Sequence, residues 1–434
     1  MEWNQKLWRR SVGQLAEFLE PLAADLRRCE QREGLAYYVQ GLLMPGERKS
    51  IEPMAQRLNV DKQKLQQLIA DSPWDEKDVW RAIRQEVVPT LEPLAAWVVD
   101  ETGWVKQGEK SVGVARQYCG AVGKRANCQV SVDVVVSDGQ IAAPVAGRLY
   151  LTEDWVADGA RRQAAGVPPA VQFQTKPEIA LDLIRQVSSD GVDPAPVLGD
   201  EVYGRASELR RGLRQLNLEY CLNAPADLLA WTEPVATRRI KAGWDIAQGQ
   251  PGAHALGTLS RNIPLNQWHD VAWQSAEGTR RQTRIAWRAV YARTDLDRAT
   301  GEWPQTWLVV DWPEGEAEPY HLYLAWLKRK PSSKYFLRLT RGRFTVEQFF
   351  QRDKTDLGLD QYEGRSWRGF HHHLVLAAVA YLFVLVTYLR SKKNLWCYVG
   401  TGTARDSAVA GTIDRTLPLL RDSIPTKKPR LKLT

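Results

Sequence analysis

The sequence predicts an α/β protein with a helical N-terminal unit and a strand-rich segment set into its core. Three observations carry that reading. Apolar residues recur at helical spacing through the first ninety positions, as Leu15, Phe18, Leu19 and Leu22 and then as Tyr37, Val39, Leu42 and Leu43. Beyond residue 95 the period falls to two, with Val130, Val132, Val134 and Val136 alternating with Ser131 and Asp133. Between 225 and 327 stand nine of the 18 tryptophans, at 231, 244, 268, 273, 287, 303, 307, 312 and 326, on short runs separated by Gly- and Pro-containing turns.

The size agrees with this division, since 434 residues suit two or three domains. With 44% apolar and 25% charged residues, disorder throughout is excluded. Lys and Arg number 59 against 51 Asp and Glu, a net charge of +8. That excess permits a polyanionic partner such as nucleic acid without requiring one. Five cysteines (29, 119, 128, 221, 397) form no CxxC pair and are odd in number, so neither a disulfide framework nor a zinc knuckle is encoded. A reducing cytoplasm is expected. The polar opening, Met1 to Gln5, leads into an amphipathic helix and does not read as a signal peptide.

Within the helical unit, assigned to 1–90, a helix over 51–58 and a turn at Asn59-Val60 precede a second helix over 62–70. Asp61 is its expected N-cap, and Val60 with Leu65 forms a hydrophobic staple. Lys62, Gln63 and Lys64 open that second helix. Helix, tight turn and helix suit a DNA-reading motif, and equally an ordinary helical hairpin. The breaker-rich stretch 88–93 is the first boundary.

The core follows as 91–224. Strands are predicted at 95–99, ending in Asp100, at 112–118 and at 130–136, with 146–151 extending the sheet. A helix over 176–188 leads to a short strand, 196–199, ending in Asp200; another helix precedes a strand at 220–222. The strand-rich insertion takes 225–327 and the core resumes over 328–392. Its apolar helix 374–389 has sixteen residues, short of the roughly twenty that span a bilayer, so a buried core helix and no membrane partner are expected. A basic tail, 393–434, carries Lys427, Lys428, Arg430 and Lys432.

Two strands that end in Asp100 and Asp200 bring carboxylates to a sheet edge, where ligands gather. If the strands are neighbours, the carboxylates repel unless a cation lies between them, and hard oxygen ligands select Mg²⁺ or Mn²⁺. A helix over 344–357 places Arg343, Glu347 and Lys354 on one stripe. That is either a surface ion pair on an amphipathic helix or a third carboxylate flanked by two phosphate-gripping cations. Three consecutive histidines, His371 to His373, point in different directions from a helix. They read as a solvated or phosphate-facing start rather than a metal cluster.

These residues resemble the DDE transposases of bacterial insertion sequences, in the ribonuclease-H-like superfamily. The likeness is to the cut-and-paste branch with a β-strand insertion before the third carboxylate. It covers about residues 12 to 390. The stretches that carry it are Asp100-Glu101-Thr102-Gly103, Gly113 to Tyr118, Arg148 to Leu151, Phe173 to Pro177, Gly199-Asp200-Glu201-Val202-Tyr203-Gly204, and Leu357 to Trp367. The resemblance implies a ribonuclease-H-like mixed sheet with flanking helices, an N-terminal DNA-binding domain and an inserted all-β subdomain. It makes Asp100, Asp200 and Glu347 the catalytic, metal-holding triad for two Mg²⁺ (or Mn²⁺) ions, with Glu101 behind them. Arg343 and Lys354 match the branch's phosphate-contacting cations, while its tyrosine slot holds Thr340. Most insertion tryptophans are core, and in relatives that form DNA hairpins one of them receives a flipped base. The implied protein binds double-stranded DNA, both transposon ends and target. It cuts and joins strands as a homodimer on paired ends, in the bacterial cytoplasm at the nucleoid. A decayed transposase that only binds DNA, and a ribonuclease-H-like structure-specific nuclease, are the rival readings.

Overall fold

The computed structural model describes residues 5–400, apart from 92–93, 242, 275–279 and 320, and side chains within 12–391 except that of Gln274. Five helices come first: α1 (Gln5–Leu22), α2 (Cys29–Leu43), α3 (Ile51–Leu58), α4 (Lys62–Gln66) and α5 (Glu76–Ala82). Both α4 and α5 run on into a π-helical turn, Gln67–Asp71 and Ile83–Val87. Asn59 ends α3 in the left-handed region, φ 54°, and Asp61 accepts a hydrogen bond from the Gln63 amide at 2.9 Å, the cap its sequence predicts. Leu35, Val39 and Leu42 of α2 are fully buried with Met54 and Leu65 of the helix pair.

The core strands are β1 (Ala96–Val105), β2 (Ala115–Cys119), β3 (Lys124–Ser137), β4 (Ala142–Leu149), β5 (Val197–Gly199) and β6 (Tyr220–Asn223). Between β4 and β5 lie α6 (Glu153–Ala157), α7 (Gly159–Ala164) and α8 (Lys176–Ser189); α9 (Glu201–Arg205) and α10 (Ser207–Gln215) separate β5 from β6. Antiparallel β1–β3 pairing meets parallel β1–β5 and β5–β6 pairing, a mixed sheet. The second predicted strand begins three residues late, because Gly113 turns the chain at φ +71°. Strand β1 does not end at Asp100. Its pairing with β3 carries it on to Val105.

The segment after β6 holds β7 (Leu229–Trp231), β8 (Thr237–Ile240), β9 (Gly243–Ile246), β10 (His254–Ala255), β11 (His269–Gln274), β12 (Arg280–Ala292), β13 (Thr306–Pro313) and β14 (His321–Trp326). It is not all-β, since α11 (Leu256–Arg261) lies within it. Nor is its main sheet separate: β14 pairs antiparallel with β6, from Tyr323 opposite Asn223 to Trp326 opposite Tyr220. One sheet therefore runs β10-β7-β12-β13-β14-β6-β5-β1-β3-β2, with β4 on β3 and β11 on β12. Among the described strands, β8 and β9 alone stand apart, as an antiparallel pair. A second apolar cluster, including Leu228, Leu256, Val290, Leu308 and Leu324, fills the insertion's own core.

Among the described residues three helices come last: α12 (Ser333–Arg341), α13 (Arg343–Leu357) and α14 (Trp367–Gly400). The stretch 367–391 of α14 is long and apolar enough to cross a membrane. Within this chain every residue from Phe370 to Ala380 is buried, as in a core helix. Helix α14 also runs through the first residues of the predicted tail; Lys427, Lys428, Arg430 and Lys432 lie outside the described residues.

Candidate active site

The register of β1 and β5 positions the first two carboxylates. Trp97 pairs with Val197 and Val98 with Leu198, so two residues further on Asp100 and Asp200 stand level on adjacent parallel strands. Strand β5 stops there, and Asp200 caps α9 by accepting from the Val202 amide at 2.9 Å. The capping and functional readings of Asp200 are thus compatible. Local packing fixes this turn. A Cβ on Gly204 would lie 1.6 Å from the Asn223 carbonyl oxygen, so only glycine lets α9 press against the end of β6. Tyr203 is fully buried beside it.

Glu347 arrives from α13, which lies across the same sheet. Arg343, one turn earlier, joins the two sites: its Nη2 donates to Glu347 Oε1 at 2.7 Å and its Nη1 to Asp100 Oδ2 at 3.4 Å. Burial pushes the Asp100 carboxyl up to about 7, and the charges of Asp200 and Glu347 push the same way; Arg343 and the Glu101 amide oppose them. The three acids therefore share one electrostatic environment. They do not form a ready-made cage: among the described residues no set of three His, Cys, Asp or Glu side chains stands as a metal site. Arg343 supplies the counter-charge in this arrangement. The donor set is carboxylate oxygen alone, which suits a hard divalent cation.

Glu101 faces the other side of β1, as strand alternation requires. There its Oε2 pairs with Lys176 Nζ at 2.7 Å, at the start of α8. Lys354 donates to the Gly103 carbonyl at 2.8 Å, and burial lowers its pKa against the pull of Asp360, Cys119, Asp133 and Asp353. Thr340 turns its hydroxyl back into α12, towards the Phe336 carbonyl at 3.1 Å. Lys62 and Lys64 are more than half exposed, in ion pairs with Glu52 and Glu33, and Gln63 is exposed beside them.

The three histidines are neither solvated nor phosphate-facing. All are buried, and burial pushes each down to about 4, so they are neutral at pH 7. His371 bonds the Leu149 amide of β4. His372 lies between the Ile69 and Trp74 carbonyls and stacks on the Trp74 ring at 3.6 Å. His373 bonds Tyr38 Oη of α2. They pin α14 to the sheet and to the N-terminal helices. The Leu357-to-Trp367 stretch does similar work: Gln361 bonds the Lys49 amide, and Tyr362 stacks on His373.

Among the insertion tryptophans, Trp231, Trp287 and Trp303 are buried, and the other six are half-buried. Trp273 lies beneath the Arg341 guanidinium, 5.1 Å from ring centre to Cζ.

Sequence reasoning missed four residues. Asp133 is directly opposite Asp100 on β3, on the same face, buried, and pushed up to about 7 by burial. Asp353, on α13, is buried and pushed up to about 8. Asp311 and Arg341 form an ion pair, 2.8 Å, between β13 and the end of α12. The sequence signal of Asp133 and Asp311 is charge within an apolar strand, and for Asp311 that cannot name a partner thirty residues away.

Comparison with known proteins gives the family. The DDE superfamily endonuclease family matches residues 21–293, more than half of the chain, a stretch that includes Asp100 and Asp200 and stops before Glu347. A probable transposase for insertion sequence element IS701, from Microchaete diplosiphon, is 30% identical over 214 residues, 48% of this chain and 52% of that protein. The chain thus spans about half the length of the curated relative it matches. With two carboxylates level on adjacent strands and a family match across both, the chain belongs to the DDE superfamily of endonucleases.

Proposed function

We propose that this protein is the transposase of a bacterial insertion sequence, cutting double-stranded DNA at the element's ends and joining those ends to a target. The observation that carries the reading is that Asp100 stands level with Asp200 on the neighbouring strand and is joined to Glu347 through Arg343. In this reading Asp100, Asp200 and Glu347 hold Mg²⁺ or Mn²⁺, two ions in number. Bound there, such ions supply Lewis acidity at the scissile phosphate and lower the pKa of attacking water. Asp100 would hold such a cation as the carboxylate, because opposite charge favours the ionised form. Arg343 turns from Glu347 to the phosphate beside the cut, and Lys354 contacts the next. Lys62, Gln63 and Lys64 read the terminal inverted repeats from an exposed helix start. Two ends are processed together, so the working form is a homodimer on paired ends, in the bacterial cytoplasm at the nucleoid.

Hairpin formation at the cut ends belongs to the same proposal. Trp273 is the insertion tryptophan that lies against an arginine of the active-site cleft, and is our candidate to stack a flipped base. The test is cleavage of DNA carrying the inverted repeats that flank the gene, with Mg²⁺, resolved on denaturing gels. Nicked and released ends are expected, with a double-length strand where hairpins form. Binding without cleavage would favour the decayed, DNA-holding protein. Cleavage of branched DNA irrespective of the repeats would favour a structure-specific nuclease. Open ends alone would return Trp273 to a packing role.

A further inference from the structure

Beside the triad lies a cleft of about 250 Å³ between β5, β6 and β14 on one side and the α12–α13 junction on the other. Asn223, His321, Arg341, Arg343, Phe344 and Glu347 line it. Arg343 is already engaged with both carboxylates. Lys354 does not line it and holds the Gly103 carbonyl. The tyrosine slot is Thr340, whose hydroxyl is spent on its own helix. A phosphate entering this cleft would meet one further arginine, Arg341.

Arg341 is built in. Its Nη2 donates to Asp311 Oδ2 at 2.8 Å. Asp311 is 1% exposed and is also bonded by the buried Thr283 hydroxyl, so its carboxylate cannot swing away. Trp273 supports the guanidinium from below at 5.1 Å. The arginine itself remains about one-third exposed, with side-chain accessibility of 34%. A guanidinium has five N–H donors, and the pair with Asp311 leaves others for a ligand. Its neighbour His321 stands opposite Asp311 in the ladder and is kept below its ordinary pKa by burial, so it adds no charge of its own near neutrality.

We propose that Arg341 is a further phosphate-contacting residue of the active site, and that Asp311, from the inserted strands, is the residue that positions it. The ligand is a DNA backbone phosphate next to the scissile bond. The inference rests on the transposase reading. Arg341 takes the place that the missing phenol leaves at 340, and Asp311 makes the inserted strands part of the DNA grip. A planar guanidinium held on both sides is suited to bidentate phosphate recognition, which a lysine point charge is not.

The test is single-turnover cleavage of end DNA in which each phosphate flanking the cut is replaced, one at a time, by an uncharged methylphosphonate. In wild-type protein the substitution at the phosphate that Arg341 contacts should slow cleavage roughly a hundredfold, the loss typical of a missing charge-stabilising donor. Arg341→Ala should show that loss on natural DNA and no further loss at that phosphate. Arg341→Lys, which keeps the charge and the partner, should remain impaired, so a misfolded alanine variant would not blunt the test. Asp311→Asn should lower the saturating rate about tenfold or more with end binding unchanged, as for a misplaced group. Arg341 variants that lose a further hundredfold on the same methylphosphonate would overturn the assignment while leaving the transposase reading intact. Wild-type protein that cuts no end DNA would sink both.

Discussion

Replacing Asp353 with asparagine should flatten the protein's loss of stability as pH rises. Asp353 is 1% exposed on the inner face of α13, and its Oδ1 has no hydrogen-bond partner. Burial raises its pKa from the ordinary 3.8 to about 8, helped by Asp133, Asp356 and Asp360 and opposed by Lys354. The native chain therefore keeps a proton that the unfolded chain releases near 3.8. Below that value the group costs nothing. As pH rises the native state binds the extra proton, so stability falls through the window and the penalty is complete above about 8. A shift of about 4 units at 1.36 kcal/mol each sets a ceiling on the order of 6 kcal/mol. Asp133, itself raised to about 7, will ionise more easily once Asp353 is neutral, and this shares out part of the penalty. Asp353→Asn should thus be neutral or slightly destabilising at pH 4.5 and stabilising by roughly 2–4 kcal/mol at pH 9, within that ceiling. Urea midpoints followed by circular dichroism at the two pH values measure it. A difference between variant and wild type that does not change with pH would refute the buried-proton account.

Asp100→Asn, Asp200→Asn and Glu347→Gln should each abolish strand cleavage while end binding, read by gel shift, stays within a few-fold, because the acids stand on β1, at the end of β5 and on α13, not on the exposed helix start at Lys62. Loss of binding with retained cutting would contradict that division. Gly204→Ala should impair folding or displace Asp200, since its Cβ meets the Asn223 carbonyl; near-wild-type melting and cleavage would show that α9 is free to shift. Lys62→Glu with Lys64→Glu should weaken end binding and flatten its log–log salt slope by about 2, if each lysine meets one phosphate. An unchanged slope would move the DNA contact elsewhere.

Much of the site was legible because its local grammar is strong. An apolar run ending in Asp, or a short strand followed by Asp and a glycine turn, names a position on a sheet without any partner being known. What sequence could not supply was the meaning of polar residues inside strands. Ser131 and Asp133 alternate with valines, a pattern that usually means one wet face. Yet β3 is flanked by β1 on one side and β2 and β4 on the other, and helices cover it, so both residues are buried. His371 to His373 misled for a related reason: spacing gives direction around a helix but not what waits there. Each imidazole met a backbone group or a tyrosine from a different element, none of which is near in sequence.

The same limit explains why the insertion looked like a separate subdomain. Its tryptophans and turns announce a change of texture, and texture says nothing about pairing. The β14–β6 ladder makes it an extension of the core sheet. Helix α12, which ends in Arg341, is seated on that extension: Phe336 is buried edge-on against Trp287 at 5.1 Å and against Tyr323 at 5.2 Å. Helix α13, with Arg343 and Glu347, follows after the single residue Gly342. The inserted strands therefore set the height and tilt of the helix that brings the third carboxylate to Asp100. Cavities cut at Trp287 or Tyr323 should reach the active site through α12, because close-packed cores transmit displacement rather than absorb it.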